Sequence, residues 1–302
     1  VAERYFPPVL DNSIVTSYKR CPTLFKLQYL ESWASKFPSP HLHAGGAFAH
    51  ALEETRRMFY VQGWDAPASI AYGCTAMENF WGDYRPPDYV AKTLDRMLAA
   101  FDFYWANYPL SHEECPPTRL PSGKYAIEFS FAQPLPIPHP ISGDPLIYCG
   151  RMDMIADAYG GRFIVDEKTT SSLGPTWSKQ WDLRSQFTGY AWGARENGLT
   201  VQGTIVRGVA ILKTKFDTQQ AVVYSPEWQI ERWYSELLTY IQRMIADFER
   251  DNFLHNLGDT CADFGGCQFR EACAVQDPTS QLETGFARRR WNPITRQTTE
   301  IL

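Results

Sequence analysis

The chain of 302 residues is 44% hydrophobic and 15% aromatic, enough apolar material for one large domain or two modest ones and too much for a disordered polypeptide. Its 29 basic and 34 acidic side chains leave a net charge of −5, which argues against a protein that grips nucleic acid by bulk positive charge, since that grip comes from counterions released by Lys and Arg. No stretch approaches the roughly 18 uninterrupted apolar residues of a membrane helix, and residues 1–8 lack the apolar core of a signal peptide, so a soluble, cytoplasmic protein is expected.

Residues 13–33 are predicted helical with a break at Cys21-Pro22, because proline disfavours helix in the residue before it. A second helix is predicted to open at Gly45-Gly46 and run to about Gln62, with Phe48, Leu52 and Phe59 at helical spacing. Two more follow near 68–82 and, after Pro86-Pro87, up to about Tyr108, so about 60–115 is expected as a helical insertion. Residues 125–131 alternate like a strand. Pro134, Pro136, Pro138 and Pro140 then remove every second donor, which marks a sheet edge or an extended loop. Residues 146–170 make the clearest β-hairpin, predicted to turn at Gly160-Gly161. A helix over 177–197, strands near 203–212 and 220–224, and a long amphipathic helix over 226–252 come next. A cysteine-rich loop and a basic tail over 285–302, with Arg288-Arg289-Arg290, close the chain. This order predicts a single α/β domain.

The hairpin carries the chemistry. Asp153 lies on its first strand and Asp166-Glu167-Lys168 end its second; alternation puts Asp166 and Lys168 on one face and Glu167 on the other. Two carboxylates facing across a hairpin can chelate Mg²⁺ or Mn²⁺, and an adjacent lysine can orient a water or offset charge on a phosphate oxygen. A solvated hairpin with a cross-strand ion pair is the plain alternative. Gln186 and Tyr190, spaced i, i+4, share one face of the next predicted helix, and His50 lies on an early one.

His50 on a helix, then Gly150-Arg151-Met152-Asp153, then Asp166-Glu167-Lys168-Thr169, then Gln186-Phe-Thr-Gly-Tyr190 stand in that order. In this, and in the stretch from Ser17 to Tyr29, the chain resembles the RecB-like branch of the PD-(D/E)XK nuclease superfamily. The resemblance implies a restriction-endonuclease-like central mixed sheet flanked by helices. It implies metal ligation by His50, Asp153, Asp166 and the carbonyl of Glu167, with Lys168 as the family lysine and Gln186 and Tyr190 contacting DNA or supporting the site. Glu128 sits where relatives often carry another acid. The implied activity is a Mg²⁺- or Mn²⁺-dependent deoxyribonuclease, an exonuclease on DNA ends or single strands.

Of seven cysteines, three crowd into Cys261, Cys267 and Cys273, with five residues between each pair, a spacing more typical of a metal or iron–sulfur site than of disulfides. Iron–sulfur members of the branch, such as AddB-type and CRISPR-adaptation nucleases, place one cysteine before the nuclease core and three after it. Cys21, Cys261, Cys267 and Cys273 fit that layout and imply a [4Fe–4S] cluster; relatives often have two residues where this chain has five between Cys261 and Cys267. Zinc on the same four thiolates is the alternative. Cys74, Cys115 and Cys149 read as core or loop residues.

Divided along the chain, positive charge collects in residues 1–60, 177–220 and 285–302 (net +2, +3 and +3), between segments of net −6 and −7. The basic segments are those expected to border DNA. No Gly-x4-Gly-Lys-Ser/Thr loop is present, so unwinding would come from a partner, and the resemblance implies a helicase, recombination, CRISPR or phage protein. Two other readings stay open: a nuclease-fold DNA-binding or assembly subunit that does not cut, and a zinc-stapled protein of unrelated function.

Overall fold

The computed structural model describes residues 4–37, 39–262 and 266–301, so the middle of the cysteine-rich loop, residues 263–265, lies outside the described residues. A short strand β1 (Val9–Leu10) leads into α1 (Asn12–Arg20), which Asp11 caps by accepting from the Ile14 N–H at 2.8 Å. Cys21 is extended before Pro22, and the helix restarts as α2 (Pro22–Phe25) and a π turn over Lys26–Leu30. After β2 (Trp33–Ser35) comes α3 (Pro40–Arg56), followed by a second π turn, Arg57–Val61. The helix starts earlier than the predicted Gly45-Gly46. Pro40 opens it, and the glycines lie inside, where a Cβ on Gly46 would stand 3.0 Å from the Phe80 ring. Helices α4 (Ala66–Trp81) and α5 (Leu94–Asn107), capped by Asp65 and Thr93, fill the segment expected as an insertion.

Strand β3 (Ile127–Pro138) carries Pro134, Pro136 and Pro138, with Pro140 in the turn beyond it, and pairs with β4 (Pro145–Ala158). β4 and β5 (Gly161–Thr170) form the predicted hairpin, with Ala158 opposite Gly161. The turn therefore falls on Tyr159-Gly160, one residue before the predicted pair, and both have positive φ (51° and 75°) as a two-residue hairpin turn demands. Gly161 serves a different need: a Cβ there would meet the Gln202 side chain at 2.3 Å.

The helix predicted over 177–197 is two helices, α6 (Pro175–Lys179) and α7 (Ser185–Glu196). A break at Leu183 (φ 59°) separates them, and Trp177, Trp181 and Phe187 still enter one buried cluster. β6 (Gly203–Ile211) is buried at every position, and β7 (Phe216–Tyr224) pairs with it along its whole length. The amphipathic α8 (Glu227–Arg250) is followed by α9 (Arg270–Cys273) and α10 (Thr279–Gly285). The segment expected as a basic tail folds as β8 (Phe286–Asn292) and β9 (Gln297–Glu300). Exposure alternates along β8 from Arg288 on, with Arg288, Arg290 and Asn292 exposed and Arg289 and Trp291 half-buried, and at its start Phe286 stacks on Phe269 at 4.7 Å.

The chain is mixed α/β, with a helix-flanked mixed sheet ordered β1-β4-β5-β6-β7 and β3 on β4. Its parallel pairs are β1–β4 and β5–β6. Two compact units divide it: Val1–Phe37 with Phe131–Gly150 and Glu231–Leu302, and Pro38–Ser130 with Arg151–Ile230. In the second unit α3, α4 and α5 pack Phe48, Trp81, Phe101 and Tyr104 with Val209 and Ile211 of β6. In the first, Leu24, Leu27, Phe269, Ala272 and Leu282 form a cluster beside the three-stranded sheet β2-β8-β9.

Candidate active site

The β4–β5 register pairs Met154 with Val165, so one step further along the ladder sets Asp153 opposite Asp166 on the same face. Asp166 is 1% exposed, and the Lys168 ammonium lies 2.5 Å from its Oδ2. Asp153 Oδ2 accepts from the Glu167 N–H at 3.2 Å. Burial, then the facing charge of Asp166, pushes the Asp153 carboxyl up to about 7. Asp166 is raised as well, chiefly by burial. Burial opposes the charge on Lys168, but Asp166 and Asp153 outweigh it and hold the amine protonated. Two facing carboxylates, Asp166 buried and Asp153 half-buried, that resist ionising side by side are a donor set completed by a hard divalent cation, so the residues fit the implied Mg²⁺ or Mn²⁺.

Glu167 projects to the opposite face, as alternation requires, and is buried there. Arg56 from α3 grips its carboxylate with both Nη atoms, one contact being 3.3 Å, and the Tyr104 hydroxyl donates to Oε1 at 3.0 Å. The same hydroxyl accepts from Arg207 Nη1 at 3.3 Å, and Arg207 holds Glu113 with two bonds of 3.0 and 2.7 Å. Burial alone would raise the Glu167 carboxyl; the Arg56 charge and hydrogen bonds hold it below its ordinary value.

His50 is half-buried on α3. Its Nδ1 lies 3.9 Å from Glu53 Oε2 and its ring 5.7 Å from Phe80. With Glu53 and Glu54 it forms a group whose ligand atoms all lie within 4.8 Å of one another, and it makes no hydrogen bond to Asp153 or Asp166. Gln186 donates to the Tyr190 hydroxyl at 2.9 Å on α7, so these two are brought together. Glu128 is ion-paired with Arg151 of the Gly-Arg-x-Asp motif at 2.6 Å. Thr169 accepts from the buried Lys92 through its hydroxyl (2.8 Å) and carbonyl (3.1 Å), and burial lowers that lysine to about 8.

The four cysteines meet in the first unit. Cys21, Cys261, Cys267 and Cys273 line one cavity of about 210 Å³, with Arg20 and His255 among its walls. Burial, then the neighbouring Cys267, Cys21 and Cys261, raises the Cys273 thiol. Cys115 and Cys149 are buried and Cys74 is half-buried, apart from this pocket.

Arg56, Tyr104, Glu113, Arg207 and Lys92 were not foreseen. Arg56 sits among Glu53, Glu54 and Arg57, a run that looks like a solvated helix face. Arg207 carried a usable signal: a lone charge in the apolar run Gly203–Ile211 must find a buried partner.

The sequence model of the PD-(D/E)XK nuclease superfamily matches residues 12–274. No curated protein matches the sequence. Among solved structures, a "Putative exonuclease" from Eubacterium rectale superposes with a TM-score of 0.51 over 92% of this chain and 94% of that chain, at 12% identity, a likeness of fold. A second structure, SSO0001, covers 63% of this chain and 74% of that one at 13% identity, with a TM-score of 0.28.

Proposed function

The chain belongs to the PD-(D/E)XK nuclease superfamily, and from that premise we propose that it is a Mg²⁺- or Mn²⁺-dependent deoxyribonuclease of the RecB-like branch, an exonuclease on DNA ends or single strands. The observation that carries the reading is the hairpin face shared by buried Asp166 and half-buried Asp153 and Lys168. Asp153, Asp166 and the Glu167 carbonyl would hold the cation, with His50 assigned by the order of the motifs. Held there, a divalent cation would supply positive charge to offset the negative charge building on the phosphate oxygens. Lys168, kept protonated by Asp166, is placed to orient the attacking water and to offset charge on a phosphate oxygen. Gln186 and Tyr190, tied together on α7, would contact the strand or brace the site.

The cysteine pocket supports a [4Fe–4S] cluster on Cys21, Cys261, Cys267 and Cys273. Zinc on the same four thiolates is the second reading, and elemental analysis for iron and zinc separates the two. Such a cluster belongs in a reducing compartment such as the cytoplasm. Exposed Arg288 and Arg290, lying over the Trp33 and Tyr5 rings at 4.0 and 3.7 Å, offer phosphate-binding charge for DNA. Lacking a motor motif, the enzyme would act beside a helicase, recombination, CRISPR or phage protein.

The test is hydrolysis of end-labelled single- and double-stranded DNA with Mn²⁺ or Mg²⁺. Asp166→Ala and Lys168→Ala are expected to lower the rate at least ~1,000-fold while DNA binding survives. Wild-type protein that binds DNA but leaves it intact with either metal would identify a nuclease-fold binding subunit instead.

A further inference from the structure

We propose that Arg56 is a positioning residue for the metal centre: its grip on the Glu167 carboxylate fixes the Asp166–Lys168 segment and the helix carrying His50 to each other. The inference rests on the metal-dependent reading above and concerns how that site is held.

Glu167 is bound on three sides. Its N–H donates to Asp153 Oδ2 at 3.2 Å, its neighbours Asp166 and Lys168 form the other half of the site, and its carboxylate is clamped from beneath the sheet by Arg56 and Tyr104. A rotation or slip of this one residue would move both acids and the carbonyl between Glu167 and Lys168. Arg56 and His50 belong to the same helix, α3, so the anchor on β5 also sets how far along the strand that helix rests. The helix leaves α geometry immediately after Arg56, in the π turn Arg57–Val61, a departure frequent at functional sites.

Packing alone does not account for this arrangement. Two arginines, two glutamates and a tyrosine lie under the hairpin, and Arg56 and Arg207 are 2% and 1% exposed. Removing such charges from water is expensive, and apolar residues of similar volume commonly match or exceed the stability of a buried ion network. What a bidentate guanidinium–carboxylate pair adds is direction, since the planar fork accepts the carboxylate in one orientation. That is the property a metal centre needs from the groups behind its ligands, whose replacement typically weakens metal binding 10- to 100-fold.

The experiment measures Mn²⁺ affinity by electron paramagnetic resonance of the free ion, and Tm in EDTA by circular dichroism, on the full chain. Arg56→Lys keeps the charge but loses the fork. The double variant Arg56→Met/Glu167→Met replaces the pair with apolar side chains of similar size and leaves the Tyr104 hydroxyl bonded to Arg207. The expected result is a folded protein in EDTA with Mn²⁺ affinity lowered about tenfold in each variant. Affinity within twofold of wild type in a folded variant would overturn the assignment. So would loss of the folded state in both variants, which would make the pair part of the core. A wild-type protein that binds no Mn²⁺ sinks the nuclease reading itself, and this inference with it, before any variant is made.

Discussion

At the hairpin, the oxygen-bearing groups come from adjacent strand residues whose spacing the backbone ladder sets, and the residue between them is clamped by a buried ion network. At the cysteine pocket, four thiols come from Cys21, at the junction of two helices, and from the segment 261–273, where the regular structure among the described residues is a short 3₁₀ turn and the four-residue α9. The first site is shaped before any ligand arrives. The second is a cavity walled by chain segments far apart in sequence. Preorganised oxygens favour a cation that can enter and serve chemistry, whereas distant thiolates favour a group that stays and joins chain segments far apart in sequence.

The contrast is tested most sharply by removing a sulfur. Cys267→Ser is expected to abolish iron binding and the brown absorbance, and to lower Tm by about 10 °C, because a staple closing a loop this long contributes on the order of 4 kcal/mol. A variant that keeps its Tm would show that the pocket is shaped without its cluster, and the distinction between the two sites would fall. Purified protein containing zinc and no iron would keep the staple and change its metal.

The hairpin was legible because its signals are local. Alternation and a glycine turn fix which side chains face each other, so Asp153, Asp166 and Lys168 could be placed on one face from sequence. The turn slipped by one residue because Tyr159 adopts a positive φ that its identity does not advertise, while Gly161 is spent on close packing against Gln202. The network beneath was invisible for the opposite reason. Arg56, Tyr104, Glu113 and Glu167 meet only through tertiary packing, and each looks solvated in its own window. His50 lies between these cases: its helix was foreseen, but the structure sets its ring against Glu53 and Phe80. The strand built from the basic tail was missed because three consecutive arginines carry charge onto both faces and hide the half-buried positions Arg289 and Trp291 among exposed ones.

A preorganised site also predicts proton linkage. Asp153 has its carboxyl raised from 3.8 to about 7, so its neutral form is the one the fold favours. The sign follows: its contribution to stability is fully present below pH 3.8 and is lost as pH rises through about 7. Asp153→Asn should therefore raise the Tm of the metal-free protein by a few degrees, with the gain growing from pH 5 to pH 8. In the wild type, Mn²⁺ must displace that proton, so affinity should rise on the order of tenfold per pH unit up to about pH 7 and flatten above it. Titration calorimetry in buffers of different ionisation enthalpy counts the proton released. A flat profile from pH 5 to pH 8 would mean the two carboxylates are not coupled as their burial implies.

The smallest expected effect concerns where DNA is gripped rather than cut. Arg288 and Arg290 stand on the exposed face of β8, each over an aromatic ring, in the unit that holds the cysteines. Arg289 is ion-paired with Glu300 at 3.4 Å, so the two stacked arginines are better placed to meet phosphates. If both do, reversing their charge in Arg288→Glu/Arg290→Glu should weaken binding of an oligo-dT strand about five- to twentyfold at low salt. The slope of log affinity against log salt should fall by roughly 1.4, two phosphate contacts at about 0.7 each for a single strand. Asp166→Ala should leave that slope as it is, since it removes an anion from the cutting site and no cation from the gripping one. Fluorescence anisotropy across a salt series reads both variants. An unchanged slope in the arginine variant would return these side chains to the solvated surface and leave the hairpin's own unit to bind as well as cut.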